Sequence, residues 1–138
     1  LPIADMVVAM NDMAFVAGLW RDWSPGYDGA EDVAHVRDSL GKPENLAAAL
    51  GYYRATFGAT PPSDEVAAVQ AAPAWPPARP TLYLHGRDDG CIGVEGVESA
   101  RALLGDAVDV RIVEGAGHFL HVERPDEVNR LVVEFLGR

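Results

Sequence analysis

The spacing of apolar residues changes character partway along the chain. From Ile3 to Trp20 the positions Met6, Ala9, Met10, Met13, Val16, Ala17 and Trp20 recur at helical intervals, until Trp23-Ser24-Pro25-Gly26-Tyr27 breaks the pattern. Glu31 to Leu40 predicts a second, short helix. Pro43 to Phe57 predicts a third, with Pro43 in its first turn, Leu46, Leu50, Tyr53 and Phe57 as its periodic set, and Gly58 as its stop. Ser63 stands where an N-cap would, ahead of a fourth helix from Asp64 to Ala71. Four prolines in the eight residues Pro73-Ala74-Trp75-Pro76-Pro77-Ala78-Arg79-Pro80 then forbid a helix and favour an extended connector.

After the connector the period shortens. Thr81-Leu82-Tyr83-Leu84 is a continuous apolar run, as expected of a parallel strand buried on both faces, and the strand is predicted over Thr81 to His85. Val108, Val110 and Ile112 alternate with Asp109 and Arg111, which predicts an edge strand over Val108 to Val113. A helix from Val94 to Leu104 joins them. A final helix starts at Pro125 and sets Val128, Leu131, Val132 and Phe135 on one face, with Gly137 behind it. The chain thus reads as a helical segment over 1–72, a connector over 73–80, and a βαβα segment over 81–138. That last segment has the form of the right-handed end of a doubly wound α/β sheet. Two parallel strands leave one backbone edge of the interior strand unpaired, so further strands are expected from elsewhere. Leu1 to Met13 is apolar and helix-like with no capping signal before it, so the polypeptide is expected to begin mid-structure.

Charge and composition narrow the function. The formal net charge is -10 and the 11 basic residues are scattered, which disfavours nucleic acid and anionic membrane surfaces as partners. No apolar stretch reaches the roughly 18 to 20 residues of a membrane span. Cys91 is the single cysteine, so no internal disulfide forms. An acidic cytoplasmic protein is expected.

The chemistry concentrates in two loops. Leu84-His85-Gly86-Arg87-Asp88-Asp89-Gly90 and Glu114-Gly115-Ala116-Gly117-His118-Phe119 place an acid and a histidine just past the carboxyl ends of the two predicted strands, where open α/β sheets bind ligands. An acid that accepts the Nδ1 hydrogen bond of His118 would fix its tautomer and stabilise the imidazolium when Nε2 takes a proton. The two glycines before His118 let the backbone turn sharply. Cys91 lies close to the acids but has no strand-turn-helix elbow around it, so a small buried thiol is expected. His35 reads as an ordinary helix residue, His85 as structural in its turn, and His121 as packing or surface. His118-x-x-His121 is too carboxylate-poor to predict a metal site.

His85-Gly86-Arg87-Asp88-Asp89 resembles the H-G-x-x-D motif after the penultimate strand of α/β-hydrolases. Gly115-Ala116-Gly117-His118 with Glu123-Arg124-Pro125-Asp126 is similar to their catalytic-histidine loop and closing helix. The resemblance covers residues 80 to 138 and selects Asp89, four positions after His85, over Asp88. It implies that the helical segment is a cap, or lid, and that no cofactor or metal is used. Within that segment Trp20-Arg21-Asp22-Trp23-Ser24-Pro25 and Gly51-Tyr52-Tyr53-Arg54 are similar to cap segments of epoxide hydrolases and related dehalogenases. Tyr53 then takes the place of the cap tyrosine that donates a hydrogen bond to the epoxide oxygen, with Tyr27 the spare candidate for a second. Trp20, Trp23, Tyr27 and Tyr52 are either lid core or an apolar wall for a small substrate such as an epoxide or ester.

The resemblance implies catalysis by Asp89, His118 and Tyr53, with a nucleophile supplied by an upstream N-terminal part. No G-x-S-x-G elbow or aspartate-bearing equivalent occurs in these residues, so the chain alone is expected to be inactive. A serine nucleophile would instead make an esterase, lactonase or carbon-carbon bond hydrolase. A haloalkane dehalogenase would need Trp20 or Trp23 on the halide. In a noncatalytic alternative, the chain completes the sheet of another polypeptide.

Overall fold

A computed structural model describes residues 3–58, 61–71, 79–97, 101 and 108–138. The chain divides into two compact units, Leu1–Trp20 with Asp28–Ala72 and Arg21–Tyr27 with Pro73–Arg138.

The first unit is helical. Helix α1 (Ile3–Trp23) extends one turn further than the periodicity predicts, and that last turn belongs to the second unit. It stops before Ser24 because the residue preceding a proline is disfavoured in the helical region. The helix is also broken internally: Met10 is extended, and Asn11, Asp12 and Met13 have φ of 51°, 56° and 56°. Asn and Asp tolerate the left-handed region better than most residues, but Met13 does not. The break was not legible because Met10 and Met13 keep the apolar spacing across it. It presents the Asp12 carbonyl and carboxylate to Arg37 of α2 (Ala30–Leu40), at 2.8 and 3.3 Å.

By length and composition α1 is long and apolar enough to cross a membrane, with a mean hydropathy of 1.4, which corrects the expectation of no such stretch. The many Ala, Val and Met residues outweigh Asp5, Asn11 and Asp12 in the average. One of them is held within the unit: the buried Asp5 carboxylate accepts a hydrogen bond from Arg54 of α3 (Pro43–Phe57). A buried carboxylate requires such a partner.

Helix α3 ends where Gly58 donates its N–H to the Arg54 carbonyl. Of its periodic set only Leu46 is buried, while Tyr53 and Phe57 are exposed. Short helices of one unit cover only the facing sides of their neighbours, so the stripe is apolar for longer than it is covered. In α4 (Asp64–Ala71) the Val66 N–H meets the Ser63 hydroxyl at 3.4 Å, as an N-cap does.

In the second unit, strands β1 (Thr81–Gly86) and β2 (Val108–Val113) pair in parallel, from Thr81 opposite Val108 to Gly86 opposite Val113. Of the predicted helix between them, residues 95–97 are helical, and 98–100 and 102–104 lie outside the described residues. So do residues 73–78 of the connector. After β2 come a four-residue helix that the periodicity did not predict, α5 (Leu120–Glu123), and α6 (Pro125–Leu136) with Pro125 in its first turn. Val113, Ala116 and Val128 form the buried core, with Leu84, Leu120 and Leu131 packed against it. The core covers one side of the strand pair. Tyr83 of β1 is 37% exposed, so among the described residues β1 is not buried on both faces.

Val113 is fully buried at the end of β2, and its methyl groups have no room to be replaced by solvent. Val113→Ala is expected to cost about 2–3 kcal/mol, the lost transfer energy plus a residual cavity. Urea denaturation of the variant checks this, and a change under about 0.5 kcal/mol would show the core to be organised elsewhere.

Candidate active site

Two loops lie side by side at the carboxyl ends of the strands because strand pairing continues past them. The Arg87 N–H donates to the Val113 carbonyl and the Asp88 N–H to the Ala116 carbonyl, both at 2.9 Å. The loop after β1 carries Asp89 and the loop after β2 carries His118. Asp89 is buried and Asp88 is exposed. The Asp89 carboxylate meets His118 Nδ1 at 3.0 Å through Oδ2 and 3.2 Å through Oδ1. Its Oδ1 also accepts the backbone N–H groups of Cys91 at 2.8 Å and Ile92 at 2.9 Å.

Burial pushes the Asp89 carboxyl up, but the Ile92 N–H, the His118 ring and the Cys91 N–H together outweigh it and hold the group below its ordinary 3.8. The acid is therefore ionised and oriented at neutral pH. With Nδ1 directed at Asp89, Nε2 is the His118 nitrogen that can exchange a proton with a reacting group.

His85 supports the acid loop from beneath. Its Nε2 stands 2.9 Å from the Ile92 carbonyl and its Nδ1 3.0 Å from the Tyr83 hydroxyl. A proton on Nε2 satisfies both, since the ring then donates to the carbonyl and accepts from the phenol. The same Nε2 lies 3.7 Å from Asp89 Oδ2. His85 is thus structural, as its sequence position implied.

Trp23 and Ser24 join the two loops. The Trp23 carbonyl accepts the N–H of Gly90 and the N–H of His118, each at 3.0 Å. The Trp23 indole stands edge-on to the His118 ring at 5.0 Å between centroids, and Phe119 flanks the same ring at 5.2 Å. Ser24 is fully buried, and its hydroxyl donates to Glu123 Oε1 at 2.7 Å. The turn Ser24-Pro25-Gly26-Tyr27 closes with the Tyr27 N–H on the Ser24 carbonyl at 3.1 Å. Gly117 must be glycine: an added Cβ would lie 2.5 Å from Ser24 Cα and 2.8 Å from the Trp23 carbonyl oxygen. Its partner Gly115 supplies the sharp turn expected of the pair, with φ of 64°.

Of the site residues expected from sequence, Asp89, His118 and Trp23 meet in the second unit, which also contains Tyr27. Trp20, Tyr52 and Tyr53 belong to the first, where the two tyrosine rings meet edge to face at 5.7 Å and are both exposed. Cys91 is exposed, which corrects the buried thiol expected for it: the turn spends its N–H on Asp89 and leaves the side chain outside. Among the described residues no three His, Cys, Asp or Glu side chains converge as metal ligands would. Sequence reading assigned no role to Ser24 or Glu123. They are 99 positions apart, and no local pattern announces a pair at that separation.

The alpha/beta hydrolase family model matches residues 2–131, nearly the whole chain. The chain belongs to the alpha/beta hydrolase family. Among curated relatives, this alpha/beta hydrolase is 33% identical over 75 residues to Epoxide hydrolase B of Mycobacterium tuberculosis, covering 53% of the chain and 20% of that protein. It is 24% identical over 138 residues to human Epoxide hydrolase 4, covering 96% of the chain and 35% of that protein. The chain therefore spans a fifth to about a third of the length of these relatives, and it resembles epoxide hydrolases over that part.

The lowered pKa of Asp89 bears on stability. A folded-state value below the unfolded one means that the native state binds fewer protons, so the stabilisation is complete above 3.8 and is lost as the pH falls through the depressed value. Asp89→Asn is expected to remove this acid-side loss. Urea midpoints followed from pH 7 to pH 2 check it, and identical pH profiles for variant and parent would refute it.

Proposed function

We propose that the chain carries the acid and the histidine of an epoxide hydrolase-like enzyme, with residues 1–72 as its cap and 81–138 as the closing end of its doubly wound sheet. The observation that carries this reading is the Asp89–His118 hydrogen bond, made between loops that each follow a parallel strand. The likeness to two epoxide hydrolases favours epoxides over other substrates of the family. The nucleophile comes from the upstream part of the enzyme, and the whole protein works without cofactor or metal, in the cytoplasm.

The reaction takes two steps. An upstream aspartate attacks an epoxide carbon, the C–O bond of the ring breaks as the ester bond forms, and the Tyr53 hydroxyl protonates the departing alkoxide. A water then adds to the ester carbonyl while His118 Nε2 takes its proton and Asp89 stabilises the resulting imidazolium. Collapse breaks the ester C–O bond, the imidazolium returns its proton to the departing diol oxygen, and the freed carboxylic acid gives its proton back to the Tyr53 phenolate, so that carboxylate, imidazole and phenol are all restored. Trp23, beside the imidazole, together with Trp20, Tyr27 and Tyr52 provides the apolar walls that hold a small substrate.

The test is hydrolysis of a styrene-oxide-type epoxide and of a p-nitrophenyl ester by the intact protein. Asp89→Asn is expected to lower kcat about 10⁴-fold, because the histidine tautomer is lost while the geometry stays. Tyr53→Phe is expected to abolish most epoxide turnover. Ester cleavage that survives Tyr53→Phe, with no epoxide turnover in the parent, would instead identify a serine esterase built on the same acid and histidine.

A further inference from the structure

The loop that carries His118 is held from outside by a carboxyl group that takes no part in the proposed chemistry. Glu123 Oε2 accepts the Gly117 N–H at 2.7 Å, and Oε1 accepts the Phe119 N–H at 3.0 Å and the Ser24 hydroxyl at 2.7 Å. The two amides are those immediately before and after His118. The histidine's own amide goes to the Trp23 carbonyl at 3.0 Å, one residue before Ser24. The Ser24 hydroxyl in turn accepts the Phe119 N–H at 3.3 Å. Three consecutive N–H groups around the imidazole are therefore fixed by acceptors from Trp23-Ser24 and Glu123. Amides at such a loop would otherwise turn to water or pair with one another in several ways, and the ring would follow them. Glu123 opposes the His118 loop from the last position of α5, so the short helix serves to bring its carboxyl back onto the loop.

We infer that Glu123 and Ser24 are positioning residues for His118: together they fix the backbone on both sides of the histidine so that Nδ1 points at Asp89. Neither touches the reacting atoms. The inference rests on the proposed role of the Asp89–His118 pair, but its first readout does not require turnover. Glu123→Gln replaces one acceptor oxygen by a donor facing an amide N–H. Ser24→Ala removes the hydroxyl that donates to Glu123 and accepts from Phe119, at the loss of a single buried atom.

The experiment compares the parent, Glu123→Gln, Ser24→Ala and the control Asp89→Asn by proton NMR of the intact protein, following the low-field resonance of His118 Nδ1–H. Thermal unfolding and steady-state kinetics on the same preparations complete it. The resonance is expected in the parent, absent in the control, and broadened or lost in both positioning variants. The variants are expected to lower kcat by about 10 to 100-fold with KM within twofold, the size usual for groups that orient a catalytic side chain. Variants that lose thermal stability yet keep both the resonance and kcat would show Glu123 to be a purely structural carboxyl, and would overturn the inference. If Glu123→Gln does not fold, Ser24→Ala carries the same comparison. A parent without epoxide or ester turnover, whose variants still lose the resonance, would sustain the positioning role and sink the proposed reaction instead.

Discussion

One carbonyl oxygen fixes the geometry of the site. The Trp23 carbonyl accepts hydrogen bonds from Gly90, just after the acid, and from His118 itself. A carbonyl has two lone pairs, and here both are spent on the two loops whose side chains must meet. The loops follow strands paired in register, so their distance is set by the sheet; their mutual orientation is set by this shared acceptor. The absence of a side chain at Gly117 lets the segment approach closely enough to do this.

Among the described residues every buried polar side-chain atom is answered. Asp89 is surrounded by two backbone N–H groups and an imidazole, which together overcome the cost of burying its charge. Glu123 answers Gly117, Phe119 and Ser24. His85 links the Tyr83 hydroxyl to the Ile92 carbonyl under the acid loop. Unpaired, any of these groups would cost more than the bond it makes contributes, so the network tolerates few arrangements and holds the pair in one of them. The apolar core of Val113, Ala116 and Val128 lies directly beneath and gives the loops a rigid base.

The chain belongs to the alpha/beta hydrolase family. A fold by itself does not fix a chemistry, and the Asp89–His118 hydrogen bond speaks to how one imidazole is oriented and is silent about a nucleophile. Two aromatic rings flank the pair. Trp23 and Phe119 stand edge-on to the imidazole and keep part of its surface out of water, which strengthens its electrostatic contact with Asp89.

The sequence by itself determined both strands, most of the helices and the two loops. Period-2 and apolar runs located both strands, proline and glycine marked most helix ends, and the resemblance of His85-Gly86-Arg87-Asp88-Asp89 to a family motif pointed to Asp89, which is the buried one of the two adjacent aspartates. These are local properties, carried by residues within a few positions of one another. Tertiary structure alone decided the rest. It broke α1 at Met10–Met13, where the apolar pattern runs on undisturbed, left Tyr53 and Phe57 of the α3 periodic set exposed, and exposed Cys91, which local reading had placed inside. It also brought Trp23 and Ser24, from the end of a helix, onto the histidine loop roughly ninety-five positions away. A hydrogen bond between a serine and a glutamate leaves no period in the chain, because its energy depends on distance and angle in space and not on spacing along the backbone.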